Sequence, residues 1–321
     1  MNSNTKGNLI LLLTAFIWGA AFVAQSAGMD YVEPFTFMAA RNVFGVLTLL
    51  PVIWVLNRRP AISEEGLRLA ENREHHNGEG SLSKKTKSPF LPDKITLIGG
   101  VWCGIVLVVA DGFQQVGIIY TTAGKAGFIT ALYIIIVPFM GLLIGKRIRK
   151  IIWLCVVLSI AGFYLLCINE KLSVSKGDLL ELFCAIFFAL HIIVIDYFLE
   201  KGADSVKMSC LQFCISGLLS FAVTMVLESP TLDALWAAKW PILYAGVLSS
   251  GVAYTLQIVG QKYTEPTIAT LIMSLEAVFA AVTGWLLLHE AMTGKEIFGC
   301  ALVFASVILA QIPLPKKVPS K

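Results

Sequence analysis

The sequence predicts an all-α integral membrane protein whose ten transmembrane helices form two inverted five-helix repeats. Composition gives the first reason, because 57% of the 321 residues are hydrophobic and 14% are charged, with a mean hydropathy of +0.77. A chain this apolar cannot be covered mainly by a water-facing surface. The second reason is a series of ten apolar runs, and the third is a motif that occurs twice.

Each apolar run has, or nearly has, the ~20 residues that a helix needs to cross a bilayer. The runs lie at 9–25, 35–56, 95–116, 122–145, 151–168, 178–199, 208–227, 241–261, 267–288 and 297–313. Runs 3 and 4, and runs 8 and 9, are so close together that each pair must form a hairpin. The first run lacks a clear A-x-A cleavage site and nine more follow it, so we expect a retained helix rather than a signal peptide.

The repeated motif relates the two halves at an offset of 143 residues. Its members are Gln114, Val116, Gly117, Tyr120 and Thr121, which recur as Gln257, Val259, Gly260, Tyr263 and Thr264. The beginnings of the halves align instead at an offset of 170, as in Gly7 and Gly177, so about 27 extra residues must lie between helices 2 and 3. We expect a first repeat at 1–168 with a cytoplasmic insertion at about 57–94, a second repeat at 169–315 and a cytoplasmic tail at 316–321.

The inserted stretch is highly charged, unlike the segments around it. Residues 62–73 could form a short surface helix, and the rest is typical of a disordered linker. His75 and His76 suggest metal binding, but neither a cysteine nor a spaced set of carboxylates accompanies them. The seven cysteines of the chain all fall inside apolar runs. We therefore expect no metal site, no cofactor and no disulfide.

The distribution of Lys and Arg predicts the orientation. With the N-terminus in the cytoplasm, 19 of these residues fall in inside segments and five in outside segments, and Arg41 lies within a span. The positive-inside rule then places both termini of a cell-membrane protein in the cytoplasm. A five-helix unit crosses the membrane an odd number of times, so its second copy must enter from the opposite side. The two repeats are thus expected to be inverted.

Charged residues within the spans indicate a polar site near the outer face. An ionisable group at bilayer depth costs about 2.5–3.5 kcal/mol on insertion scales, so it is expected to face the bundle interior. Arg41 of helix 2 and Asp111 of helix 3 fall at similar depth and could form an ion pair. The neighbours predicted to complete the cluster are Gln114, Gln115 and Lys125. Two interpretations of the pair stay open: a clamp that holds helices together, or a contact with a substrate.

The second half supplies chemically different counterparts, which inversion is expected to place toward the cytoplasm. Tyr254 replaces Asp111, and Gln257 matches Gln114. The two ends of the expected cavity are therefore unequal in charge. On helix 1, Trp18 shares a face with Gln25, so both could line the cavity.

Two titratable groups lie near the predicted membrane midplane. Glu276 is near the middle of helix 9, aligned with Tyr133 of helix 4, and His191 is near the middle of helix 6. A carboxylate and an imidazole at this depth could carry protons, although an interhelical hydrogen bond would also explain each of them. Asp196 and Glu181 lie near helix ends, where snorkelling to water explains them without a site.

Several short motifs occur in an order typical of one family. They are 15–22 around Trp18 and Gly19, Arg41 with Gly45, 127–138 from Gly127 to Pro138, and 274–276 ending at Glu276. In this order the chain resembles the drug/metabolite transporter superfamily, EamA-type, over nearly its whole length. The resemblance implies two five-helix modules around a central cavity, peripheral helices 5 and 10, and alternating access. It also implies small substrates such as amino acids, nucleobases or drugs, moved outward.

The expected function is secondary transport of a small metabolite across the membrane, and coupling to protons is left open. Lipid scrambling or membrane assembly without solute transport is the main alternative. An enzyme is not expected, because the chain has no G-x-S-x-G turn and no H-E-x-x-H motif. The expected partners are a small-molecule substrate and the lipid bilayer, with no nucleic acid, and a homodimer is left open.

Overall fold

The computed structural model describes residues 3–58, 91–121, 123–146, 148–167, 175–287 and 293–311. Its ten principal helical segments, two of them divided, are α1 (Ser3–Gly28), α2 (Pro34–Arg58), α3 (Lys94–Gly117), α4a (Ala123–Thr130), α4b (Tyr133–Leu143), α5 (Lys150–Cys167), α6 (Lys176–Glu200), α7 (Ser205–Leu227), α8 (Lys239–Gln261), α9a (Pro266–Met273), α9b (Leu275–Leu287) and α10 (Gly294–Gln311). A further short helix, Leu232–Ala237, precedes α8. Most of the predicted insertion, its histidine pair and the C-terminal tail lie outside the described residues.

The described helices confirm the predicted all-α membrane fold. Eight segments are long and apolar enough to cross a membrane, and α5 and α10 contain shorter apolar helices. Their bounds agree closely with the ten predicted runs. Local sequence explains several beginnings: Asp93 caps α3, Ser175 and Asp178 form a capping box on α6, and Pro266 begins α9a. The chain is thus a multi-pass membrane protein.

Helices of the first half pack mainly on helices of the second half. α3 packs against α6 and α7, α1 packs against α8 and α9b, and α2 packs against α7 and α8. α5 and α10 pack chiefly on each other, with their other contacts to α4 and α9, as expected for a peripheral pair. The two repeats are therefore interlocked around a shared centre.

The repeated motif forms equivalent joints between the halves. Gly7 of α1 lies against the second copy, where an added Cβ would be 2.5 Å from the Thr264 hydroxyl. Gly177 of α6 lies against the first copy, where an added Cβ would be 2.7 Å from the Gly117 carbonyl oxygen and 3.0 Å from the Thr121 nitrogen. Glycine allows this approach because it has no side chain. Residues related by the offset of 170 thus contact residues related by the offset of 143, and they do so in the same way at both joints.

The polar contacts at the two joints also match. The Thr264 hydroxyl is 3.2 Å from Asn8 Oδ1, and the Thr121 hydroxyl is 3.0 Å from Asp178 Oδ1. Lys6 lies over the Tyr263 ring and Lys176 over the Tyr120 ring. Residues 6 and 176, and 8 and 178, are equivalent at the offset of 170. The motif therefore packs one repeat against the other, and each copy forms the same kind of contact.

Replacing Gly177 by alanine is expected to lower stability by about 1–3 kcal/mol, because the added Cβ meets main-chain atoms that cannot turn away. Gly124 is the matched control, since it is also the second residue of its helix and nothing lies within 4 Å of an added Cβ. The measurement is the unfolding temperature of each purified variant in detergent. Equal temperatures for Gly177→Ala and Gly124→Ala would contradict the described joint.

Helices 4 and 9 are interrupted at equivalent positions. α4a ends at Thr130 and α4b begins at Tyr133, while α9a ends at Met273 and α9b begins at Leu275. Ser274 and Ala131 are related by the offset of 143. The first interruption does not lie at a proline, because Pro138 is inside α4b. Backbone hydrogen bonds continue through both interruptions, as in those from Ala131 N to the Gly127 oxygen and from Ser274 N to the Thr270 oxygen.

The middle of α8 departs from α-helical winding. Residues 244–254 form a π-helix that ends at Tyr254, whereas the equivalent residues 101–111 of α3 are α-helical. A π segment has a wider turn and changes the direction of the side chains that follow it. The two repeats thus differ in backbone where they meet at the centre.

Candidate functional site

A buried ion pair lies at the centre of the bundle. Arg41 of α2 pairs with Asp111 of α3, and their side chains are 2% and 1% exposed. Arg41 Nη1 also donates a hydrogen bond to Gln25 Oε1 over 3.0 Å. The Tyr254 hydroxyl donates to Asp111 Oδ1 over 3.1 Å. Each charge is thereby paired and hydrogen-bonded, which buried charges require.

A second polar pair joins the two interrupted helices. The Tyr133 hydroxyl donates a hydrogen bond to Glu276 Oε1 over 2.9 Å, and both side chains are almost fully buried. Tyr133 is the first residue of α4b, and Glu276 is the second residue of α9b. The carboxyl group therefore lies at the N-terminus of a half-helix, where the helix dipole favours negative charge.

Both polar pairs connect equivalent positions of the two repeats. Asp111 and Tyr254 are 143 residues apart, and so are Tyr133 and Glu276. The expectation that Tyr254 lies at the opposite end of the cavity from Asp111 is wrong, because the two side chains touch. Residues close to the axis of an inverted repeat meet their own counterparts. The centre thus contains two hydrogen bonds between a tyrosine hydroxyl and a carboxyl group, Tyr254 to Asp111 and Tyr133 to Glu276.

A small cavity lies between these pairs. Its lining includes Trp18, Phe22, Gln25, Arg41, Gln114, Thr130, Tyr133, Phe188, Ser249, Tyr254 and Glu276. Its volume is about 30 Å³, far below the ~300 Å³ at which small-molecule pockets begin. The described conformation therefore has a nearly closed centre.

Aromatic rings form one wall of this cavity. The Trp18 and Tyr254 rings meet edge to face with centroids 4.7 Å apart. Within the part of the chain that the structure describes, Trp18 Nε1 and Arg41 Nε are buried without a hydrogen-bond partner. Two donors at the cavity are thus left for a ligand or water.

A larger polar vestibule opens at the end of the bundle that carries the loop between α8 and α9. Its volume is about 510 Å³, and its lining includes Lys146, Asp196, Glu200, Lys262 and Glu265. It reaches Val137, one helical turn from Tyr133. Lys146 pairs with Asp196 and, over 3.3 Å, with Glu200. Partial burial lowers the pKa of Lys146 while the two carboxylates raise it, and the net direction is upward.

The other end of the bundle, which carries the loop between α3 and α4, is closed by an ion pair. Lys125 Nζ lies 2.6 Å from Asp178 Oδ2. Lys125 was expected beside Arg41 and Asp111, but the structure pairs it with α6 instead. The reason is that Asp178 caps α6 at the joint with Thr121, close to the start of α4a.

Of the remaining predicted residues, Gln114 lines the cavity, whereas Gln115, Gln257 and His191 lie around it. The Gln114 side chain donates a hydrogen bond to the Thr130 hydroxyl over 3.5 Å. The Gln115 side chain donates one to the main-chain oxygen of Gln25 over 3.4 Å. Gln257 is buried and is not in the cavity lining. His191 Nε2 is 3.0 Å from Gln212 Oε1, and its ring packs against Tyr254 with centroids 6.2 Å apart. The structure does not bring His191 into contact with Glu276.

Sequence reasoning missed two residues of the cavity lining, Thr130 and Ser249, and misplaced Glu181. Thr130 and Ser249 are small hydroxyl residues without a distinctive pattern, although Thr130 directly precedes the break in helix 4. Glu181 was explained by snorkelling, and that explanation is wrong because its side chain is 0% exposed and hydrogen-bonded to Thr130. Its position one turn along α6 from Asp178 was the signal that could have placed it inside the bundle.

A buried ion pair and a buried carboxyl between two interrupted helices, at the meeting point of two repeats, are typical of secondary transporters. The chain belongs to the EamA-like transporter family, whose family model matches residues 5–70 and 175–311. It is a membrane transporter of this family, as the resemblance within the drug/metabolite transporter superfamily implied.

Relatives and a solved structure agree with this assignment. An uncharacterized transporter of Archaeoglobus fulgidus is 28% identical over 313 residues, covering 95% of this chain and 85% of the relative. The threonine/homoserine exporter RhtA of Salmonella typhimurium is 40% identical over 81 residues, covering 23% of this chain and 26% of the relative. A crystal structure superposes with a TM-score of 0.70 at 15% identity over 96% of each chain, which supports the fold.

Proposed function

We propose that this transporter moves a small zwitterionic metabolite of the amino-acid class through the central cavity by alternating access. The Arg41–Asp111 pair carries the proposal. A guanidinium beside a carboxylate complements the carboxylate and ammonium groups of a zwitterion. Arg41 lines the cavity, and Asp111 bonds to Arg41 and to Tyr254, which also lines it. A bound zwitterion would replace the internal pair with two new ones.

The cavity walls favour a compact substrate. Trp18 and Tyr133 would flank the apolar part of the substrate, with Gln114 nearby as a hydrogen-bond donor. The name of RhtA supports the same substrate class, because that relative is a threonine/homoserine exporter. Threonine and homoserine are therefore the first compounds to test, and outward transport is the proposed direction.

The two ends of the bundle are proposed to alternate as gates. The Lys/Arg distribution supports a cytoplasmic location for the termini and the vestibule. The Tyr133–Glu276 hydrogen bond would then separate the vestibule from the centre, and the Lys125–Asp178 pair would close the outer end. Lys125 is proposed to meet the substrate on exit, and Gln115 and Gln257 to hold the surrounding helices. The repeat bounds at 168 and 169 and a homodimer remain proposals.

Glu276 is proposed to couple transport to protons. Its carboxyl group is at the cavity, joins the two interrupted helices and can lose or gain a proton as they separate. His191 would assist indirectly, because its ring packs on Tyr254 and is held by Gln212. Protonation and gate movement would thus involve the same pair of half-helices.

Counterflow in proteoliposomes tests the substrate class. Vesicles with purified protein are loaded with unlabelled threonine, and the entry of labelled threonine is followed. The competitors are threonine amide, which lacks the carboxylate, and the corresponding hydroxy acid, which lacks the ammonium group. We expect each competitor to be weaker than threonine by about tenfold or more, equivalent to ~1.4 kcal/mol. Equal competition by either analogue, or no counterflow for any amino acid, would refute a zwitterion site.

A further inference from the structure

Glu181 is a buried carboxyl group outside the pairs already described. It lies on α6 with its side chain 0% exposed. Its Oε2 accepts a hydrogen bond from the Thr130 hydroxyl over 2.9 Å, while Oε1 has no hydrogen-bond partner. Among the described residues, no Lys or Arg lies within ion-pair distance of it. An ionised carboxylate in this setting is costly, so the surroundings favour the protonated acid.

The repeat shows that packing does not require this carboxyl group. Residue 11 is equivalent to residue 181 at the offset of 170, and Leu11 is apolar. Leu11 covers Gly260 at 2.7 Å from an added Cβ, as Glu181 covers Gly117 at 2.7 Å. The same joint therefore holds with a leucine in one half and a glutamate in the other. The glutamate supplies something that the joint itself does not need.

We propose that Glu181 is a second proton-carrying group, which passes protons between the closed outer end and the central cavity. This rests on the proposed proton-coupled transport and adds its route. Asp178 lies one turn away on α6, at the partly exposed pair with Lys125. On the other side, Thr130 contacts Glu181 and lines the cavity, three residues before Tyr133. The route thus leads toward the Tyr133–Glu276 pair.

The proton step needs one further reactant, a water molecule in the cavity that accepts the proton. For this step the Thr130 hydroxyl, which donates to Glu181 Oε2 in the described structure, turns to donate to a water molecule in the cavity. The acid proton of Glu181 then passes to the Thr130 oxygen while the Thr130 proton passes to that water molecule. Glu181 is then an anion until a proton returns from the Asp178 side.

The groups facing Glu181 permit this exchange. On its own helix Glu181 has the Asp178 carboxylate, which is paired with Lys125, on one side and the Cys184 thiol on the other. The Thr130 hydroxyl of α4a faces both Glu181 and Cys184.

The test compares Glu181→Leu, which copies the residue of the other repeat, with Glu181→Gln. Infrared spectra of the purified proteins at neutral pH report the carbonyl band of a protonated carboxyl group. Counterflow of labelled threonine reports a working site, and threonine accumulation driven by an imposed pH gradient reports coupling. We expect both variants to lose one acid band and to slow gradient-driven accumulation by about tenfold or more, with counterflow within about threefold of wild type.

Three results would overturn the proposal. An unchanged acid band would show that Glu181 carries no proton. Gradient-driven accumulation equal to that of the wild type would show that protons do not need it. Loss of counterflow in both variants would make Glu181 part of the substrate site. If the wild type itself ignores the pH gradient, the proposed coupling fails and the route fails with it, whereas a coupled wild type with a coupled variant refutes the route alone.

Discussion

Asp111→Asn is expected to destabilise the protein by about 3–5 kcal/mol, because it leaves the buried Arg41 guanidinium without its counter-charge. Asparagine keeps an oxygen that can accept from Tyr254, so the loss is mainly one of charge. The measurement is the unfolding temperature in detergent. A change of stability within about 0.5 kcal/mol, which is usual for surface substitutions, would contradict a buried pair.

The double variant Arg41→Met and Asp111→Asn separates a clamp from a substrate contact. Removing both charges is expected to restore most of the stability, since a buried pair contributes little beyond what an apolar replacement gives. If the pair binds the zwitterion, the double variant stays inactive in threonine counterflow although it is stable. Recovery of counterflow together with stability would show that the pair only holds the helices.

Glu276→Gln is expected to abolish substrate-dependent proton flux while threonine counterflow continues. Glutamine retains an oxygen for the Tyr133 hydroxyl, so the contact between the half-helices can persist without a titratable group. The measurement uses vesicles with a trapped pH dye to which threonine is added. Tyr133→Phe is the matched control, because it removes the hydrogen bond and leaves the carboxyl group. A dye response in Glu276→Gln equal to that of the wild type would refute the role of Glu276.

Much of the fold follows from sequence because the membrane imposes simple rules. Each spanning helix needs a long apolar run, so ten runs gave ten helical segments at nearly the observed bounds. The partnership of Arg41 with Asp111 was also predictable, since two opposite charges at the same depth must avoid lipid. The duplicated motif indicated the repeat, although its role at the joints needed the contacts of Gly7 and Gly177.

The detailed site depended on information that a linear pattern does not contain. Depth counted along helices placed Tyr254 away from Asp111, because such counting ignores how two inverted copies cross at their axis. Neither the π-helical segment 244–254 nor the break at Ser274 contains a proline that would indicate it in the sequence. Glu181 was misplaced because closeness to a helix end does not determine which face is buried.

Substrate protection at position 249 tests most directly whether the substrate occupies the central cavity. Ser249 lines the cavity and is 2% exposed, so Ser249→Cys introduces a thiol there. Alkylation at this position is followed by mass spectrometry, with and without threonine, in protein shown to catalyse counterflow. Lys262→Cys in the vestibule is the control. We expect threonine to slow alkylation at position 249 and not at position 262. Equal alkylation at position 249 with and without a substrate that the protein transports would contradict a central binding site.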